Sequence, residues 1–393
     1  MAGGAPQRAR LRVLATTDVH VHLAAWDYCA GRATRGTGLE RTASLIAAAR
    51  AEVAASILLD NGDFLQGSPL GDRSASAAIR ARGRIHPAIA AMNSLGYDAA
   101  ALGNHEFDYG LDFLDAALAD AAFPVLCANL VRQRGAGPRD DLPYRPPVAL
   151  IDRQVIDDSG TAHGVRIGLI GLAPPQTIDW AGDHLKGRLV ARDMAEAARA
   201  WVPALRKAGA EVVIALAHTG IAARRDACSD EAAAMAIAHL PGIDAIVAGH
   251  THAVFPSAEF AGLPEMDADA GWLAGKPAVM PGFGGSHLGV IDLELERRAG
   301  RWAVSGGRGS VRSVEALRAP PCPALRATIR EAHVDTIRHL RRRIGSTLLP
   351  LNSYFALVAD SPALRLVCEA QATFVRVCGC PHSTHRPSIR SIH

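Results

Sequence analysis

The chain has no apolar run approaching the ~18 residues that would span a bilayer as a helix. That excludes a transmembrane anchor within it, and no membrane partner is expected. Residues 1–10 contain no apolar signal-peptide core, and the apolar stretch at 11–15 is too short to be one. It reads as a first strand, so the sequence as it starts points to the cytoplasm. The cysteines number only seven, odd and scattered, which excludes a disulfide framework. Net charge is only +3 over 393 residues, too little to argue for duplex nucleic acid or an anionic membrane surface. No internal repeat is found. What is abundant is apolar content: 49% of the chain is hydrophobic, enough for a sizeable core. The length suits two or more ordinary domains, or one large α/β domain with extensions.

Short apolar runs alternate with stretches of helical periodicity. Strands are predicted at 11–17, 56–59, 99–102, 124–129, 148–156, 165–172, 211–217, 244–248, 288–295 and 302–314. Helices are predicted at 39–53, 86–95, 111–121, 194–208, 230–240 and 325–344. Gly96 takes a C-cap-like position, and the turn at 157–164 predicts a hairpin. Gln66-Gly67-Ser68-Pro69 has turn chemistry, and 132–147 is polar, rich in Pro and Gly, and reads as a loop. Such alternation argues for an α/β layered domain with ligands at strand ends, and the late β-rich portion suggests a second, mixed sheet. The basic run of Arg338 and Arg341 to Arg343 reads as a solvated helix end.

Five polar stretches follow the apolar runs: Asp18-Val19-His20, Gly62-Asp63, Gly103-Asn104-His105-Glu106, His218 and Gly249-His250-Thr251-His252. Carboxylate, imidazole and amide groups at successive strand ends can converge on one crevice. This donor set suits two divalent metals sharing a bridging carboxylate. Asp18 and His20 are alternate residues and would face one side of an extended chain. Asp63 has the size to bridge two cations ~3.5–4 Å apart. The expected grouping is Asp18, His20, Asp63 and His252 on one metal, and Asp63, Asn104, His218 and His250 on the other. Zn, Mn, Fe and Co all fit this mixed N/O set. The chemistry expected is in-line attack on phosphorus by a metal-bridging hydroxide. His105 would point away from the ligands on an extended strand, where it could protonate a leaving oxygen, with Asp108 orienting its imidazole. Singly, each motif is common. Their order, each after an apolar strand, carries the metal reading. Cys378, Cys380, His382 and His385 are spaced unlike a closed zinc knuckle, and no second site is expected there.

These motifs resemble the calcineurin-like metallophosphoesterase superfamily. Asp60-Asn61-Gly62-Asp63-Phe64-Leu65-Gln66-Gly67-Ser68-Pro69, Gly103-Asn104-His105-Glu106-Phe107-Asp108-Tyr109-Gly110 and His252-Ala253-Val254-Phe255-Pro256 look like its nucleotidase branch. Ala278-Val279-Met280-Pro281-Gly282 with His287-Leu288-Gly289-Val290 narrows it to the bacterial 2′,3′-cyclic-nucleotide 2′-phosphodiesterase/3′-nucleotidase family, over about residues 10–375. The resemblance implies a four-layer αββα sandwich with two central mixed β-sheets and two divalent metal ions. It places the metal ligands on Asp18, His20, Asp63, Asn104, His218, His250 and His252, and the catalytic dyad on His105 and Asp108. It implies opening of 2′,3′-cyclic nucleotides to 3′-nucleotides, release of phosphate from these, and a periplasmic setting.

On this resemblance, 10–318 forms the phosphoesterase domain, 319–350 a linker helix, 351–377 the truncated start of a second domain, and 378–393 a disordered tail. In the family an aromatic pair of the second domain stacks the nucleobase, so the base-binding site is expected to be missing. Two alternatives stay open. One is a 5′-nucleotidase or nucleotide-sugar hydrolase of the same branch. The other is an inactive truncated remnant whose Leu364, Leu366 and Val367 lack a partner domain. A monomer acting on a small-molecule nucleotide is the expected form.

Overall fold

The computed structural model describes residues 7–76, 83–221, 232–348 and 350–378. The chain divides into two compact units, Met1–Leu340 and Arg341–His393.

In the first unit the central strands are apolar on both faces. In the Val212–Ala217 strand, Val212, Ile214 and Leu216 enter one core while Val213, Ala215 and Ala217 enter a second. In Ser56–Asp60, Ile57 and Leu59 share the first of these cores, and Leu58 faces a third. Alternate side chains leave a strand on opposite faces, so such strands need cover on both. Two sheets therefore pack face to face over a shared core, with helices outside each.

The first sheet runs Arg301–Ser313, His287–Arg298, Arg8–Thr16, Ser56–Asp60, Ala99–Ala101, Val125–Leu126. It is parallel from Arg8–Thr16 onward and antiparallel on the other side. The second has a parallel centre of Lys276–Pro281, Ala245–Val247, Val212–Ala217 and Ala162–Leu172, with Val148–Ile156 antiparallel at its edge. Helices Leu39–Ala51, Pro69–Ala75, Pro87–Leu95, Leu111–Leu118 and Pro323–Leu340 line the core outside the first sheet. Met194–Lys207 and Ala234–Ala238 line the core outside the second. The four-layer mixed sandwich expected from sequence is the architecture found.

Several elements differ from expectation. Ser68 accepts from the Gly71 amide and Pro69 opens the helix Pro69–Ala75, so the turn chemistry there is that of a helix start. The loop at 132–147 overlaps a short strand, Leu130–Gln133, that pairs with Leu142–Pro143. The helix expected at 325–344 is Pro323–Leu340, and it packs on the first unit along its length. Leu325 and Ile329 are each 1% exposed within the helical layer of the first unit. Arg326 pairs with buried Glu40, and Asp335 with Arg73. A polar helix with one narrow apolar stripe looks solvated by composition yet still buries that stripe. Of the helix expected at 230–240, the structure has Ala234–Ala238, and residues 230 and 231 lie outside the described residues. Residues 379–393, with Cys380, His382 and His385, also lie outside them, as does the side chain of Cys378.

The second unit contains the helix Pro362–Cys378, on which Leu364, Leu366, Val367 and Phe374 are exposed, as expected for the first three. Among the described residues no helix is long and apolar enough to cross a membrane.

Ile329→Ala should lower the stability of the chain by about 2–5 kcal/mol, read from urea unfolding. A change near zero would mean that this helix packs on nothing.

Candidate metal centre

The five polar stretches open where parallel strands of both sheets end. Backbone bonds lace these turns together: Asn61 N donates to Thr16 O, Asp18 N to Gly62 O at 2.9 Å, and His20 N to Asp63 O at 2.8 Å. Asn61 joins the two sheets. Its Nδ2 donates to Ala217 O at 3.1 Å, and its own carbonyl accepts from His218 Nδ1 at 2.7 Å.

The chain does not run extended here. Asp18, His20, Asp63, His250 and His252 have φ of 49°, 47°, 60°, 71° and 59°. Non-glycine residues seldom enter this left-handed region, at a cost of ~1–3 kcal/mol each. The face-sharing expected of Asp18 and His20 is thus reached by tight turning, not by strand alternation. His105 likewise begins a single 3₁₀ turn, His105–Phe107, instead of continuing a strand. It does not point away from the ligands: its ring lies edge-on to His20, centroids 5.2 Å apart.

The turns bring together two clusters, Asp18 with His20 and His252, and Asp63 with His218 and His250; within each, the ligand atoms lie within 4.8 Å of one another. His20 Nε2 and His252 Nε2 are 3.0 Å apart. His20 Nδ1 lies 2.9 Å from the Gln66 carbonyl, which can only accept, so Nε2 of the neutral ring presents its lone pair inward. His218 is oriented the same way by Asn61, with Nε2 2.9 Å from Asp63 Oδ2. Asp63 Oδ2 is also 3.9 Å from His20 Nε2, and so stands between the clusters. Asn104 is buried, and its Oδ1 has no hydrogen-bond partner. Buried polar atoms are rarely left so, and this one is the amide oxygen expected to ligate. Converging lone pairs, two buried carboxylates and an orphaned carbonyl oxygen fit a pair of divalent cations.

Charge in the pocket is shared between its carboxylates and imidazoles. Burial opposes charge on His218, but Asp63 and Asp18 outweigh it and hold its pKa up at about 10. Burial likewise opposes ionisation of Asp63, and His218 outweighs it and holds that carboxyl well below its usual range. His250, half-buried and near His218, is pushed down to about 4 by its partial burial and by that neighbour. His105 differs: its Nδ1 bonds Asp108 Oδ2 at 2.7 Å, and this outweighs partial burial to raise it to about 9.

All nine residues read as functional from sequence meet at this one place. Three more features were not read from sequence. Glu106 is buried and accepts four backbone N–H groups, from Asp63 and Gly103 at 2.7 Å on one oxygen, and from Phe64 at 2.7 Å and Leu65 at 3.1 Å on the other. It ties the Asp63 turn to the Asn104 turn. Gly103 and Gly249 allow bare backbone against the carboxylates. A methyl group at Gly103 would overlap Asp63 Oδ1, and one at Gly249 would stand 2.7 Å from Asp18 Oδ2. Two aromatic rings also stack on ligand imidazoles at the rim: Trp180 on His250 (5.5 Å, 21°) and Phe283 on His252 (4.9 Å, 17°).

Residues 11–254 match the sequence pattern of the family described as Calcineurin-like phosphoesterase. The chain is 40% identical over 371 residues to the trifunctional nucleotide phosphoesterase protein YfkN of Bacillus subtilis, covering 93% of this chain and 25% of YfkN. It is 40% identical over 370 residues to the 2′,3′-cyclic-nucleotide 2′-phosphodiesterase/3′-nucleotidase of Salmonella typhimurium, covering 93% of this chain and 56% of that protein. The chain thus spans a quarter to just over half the length of these relatives. The crystal structure of the calcineurin-like phosphoesterase YfkN from Bacillus subtilis superposes with a TM-score of 0.80 at 38% identity, over 86% of this chain and all of that one.

Glu106→Gln puts an amide NH₂ against two backbone N–H groups. It should cost about 2–3 kcal/mol in urea unfolding and reduce bound metal measured by plasma emission. Unchanged stability and metal content would remove Glu106 from the site's framework.

Proposed function

The chain belongs to the calcineurin-like phosphoesterase family, and from that premise we propose that it opens 2′,3′-cyclic nucleotides to 3′-nucleotides and then releases phosphate from these. The observation that carries the proposal is the juxtaposition of two ligand clusters, with Asp63 between them, and a His105–Asp108 pair at their edge. Similarity to proteins so named supports the choice of substrate.

Asp18, His20, Asp63 and His252 would hold one cation, and Asp63, Asn104, His218 and His250 the other. Zn, Mn, Fe and Co are all compatible. When bound, the two cations supply a water acidified towards neutral pH and neutralise the phosphate oxygens. The chain's own residues do the rest. The carbonyls of Gln66 and Asn61 fix the ring planes of His20 and His218. Asp108 holds the His105 proton at Nδ1 and keeps the ring charged at neutral pH, which leaves Nε2–H to donate. As the P–O2′ bond of the cyclic ester breaks, that proton passes to O2′. In the second reaction it passes to O3′, and the nucleoside leaves.

With Mn or Co supplied, the purified chain should release phosphate from 2′,3′-cyclic AMP through 3′-AMP, and Asp63→Ala should abolish it. Faster release from 5′-AMP than from 3′-AMP would favour a 5′-nucleotidase instead.

The bond to Asp108 holds the His105 proton above the ordinary imidazole range, so the alkaline limb of kcat/KM belongs above ~6.5. Asp108→Asn removes the largest cause of the elevation. The limb should move down towards ~6.5, with roughly tenfold or greater loss at pH 8. A limb that stays in place would exclude His105 as the acid.

A further inference from the structure

We propose that Trp180 is the stacking platform for the nucleobase, a specificity residue in the first unit itself; the inference rests on the nucleotide reading above. Trp180 ends the short helix Thr177–Trp180 and is 48% exposed, although Thr177, Ala181 and Leu185 around it are buried. An indole left in water forgoes one of the largest gains from burial available to a side chain. Here it is held out with one face against the imidazole of His250, 21° from parallel. The remainder of a large, flat, polarisable surface is presented at the edge of the second ligand cluster.

The segment that carries it is firmly seated. Trp180 N donates to Gln176 O at 3.0 Å, Ala181 N to Thr177 O at 3.0 Å, and Leu185 N to Ala181 O at 3.0 Å. Leu185 anchors in the helical core of the first sheet. The segment follows the Ala162–Leu172 strand and continues to His184, whose ring would lie 3.1 Å from a methyl group on Gly110. Gly110 is two residues beyond Asp108, the partner of the proposed acid. The strip from Trp180 to His184 therefore runs from His250 towards the turn that carries Asp108. An acid that protonates the leaving oxygen has the leaving sugar beside it, and the base attached to that sugar falls against this strip.

Stacking needs only a π-face, which every base has, so this platform predicts broad base tolerance. Phe283 is the natural competitor, being stacked on His252 and 42% exposed. Through His252 and His20 its ring also approaches His105, so the two aromatic rings are told apart by the paired variants below.

The test is calorimetric titration of the full chain with adenosine, a binding readout independent of turnover, alongside KM for 3′-AMP and for the ring-free ester glycerol 2-phosphate. Trp180→Leu should weaken adenosine about tenfold or more and raise the ratio of the two KM values similarly, and Trp180→Phe should recover most of the loss. Loss of kcat on both esters with falling metal content, and adenosine binding intact, would mean that Trp180 only braces His250, and would overturn the proposal. So would a loss of adenosine binding that follows Phe283→Leu and not Trp180→Leu. If the wild-type chain turns over no nucleotide yet binds adenosine through Trp180, the reaction proposed above fails and the platform stands.

Discussion

Asp18 and Asp63 lose essentially all contact with solvent within reach of the same imidazole nitrogens, His218 Nε2 lying 3.8 Å from one and 2.9 Å from the other. Burying one carboxylate costs several kcal/mol unless it is paired, and burying two together adds repulsion. The structure around them is the compensation. Asp18 accepts the Thr17 hydroxyl at 2.6 Å and the His250 amide at 3.1 Å. Asp63 accepts the His105 amide at 2.8 Å and faces His218. These donors come from both sheets, so the two sheets must end at the same place. Glu106 adds a third buried carboxylate, which four backbone amides make tolerable. A dry pocket with this much negative charge has its electrostatic complement in divalent cations.

The backbone bears a cost for this convergence. Five of the candidate ligands lie in left-handed conformations, where a side chain is disfavoured and a glycine would not be. Substituting glycine would relieve the strain and remove the ligand, so chemistry and conformation pull in opposite directions at the same residues. Two glycines sit at neighbouring positions, Gly103 and Gly249, where space and not φ is limiting, and a third, Gly62, has a φ of 102°. Strain of this kind persists only where surrounding bonds over-determine it, as the laced turns do here.

Much of this was legible in the sequence because chemistry and position coincide. An Asp, Asn or His placed after an apolar strand of an α/β chain already sits at the end where ligands gather, and all seven ligand candidates, with His105 and Asp108, are found together. The local geometry was less legible. A strand reading of Asp18 to His20 gives the right neighbours for the wrong reason, since sequence shows side-chain type and not φ. Glu106 stood in the Gly103–Glu106 stretch without a role because its partners are backbone amides, which every non-proline residue has. The packing of the Pro323–Leu340 helix was hidden because only Leu325, Ile329 and Thr336 of its residues are buried, too few to dominate a polar composition. Trp180 was passed over because His250, the ring it leans on, is remote in the chain.

The reciprocal bonds of Asn61 with Ala217 and His218 have a mechanical consequence. One residue of the first sheet is latched in both directions to the second, directly beneath the ligands. Sliding one sheet past the other at this end has to break both bonds, so groups drawn from different sheets are tied in register where their spacing decides the chemistry.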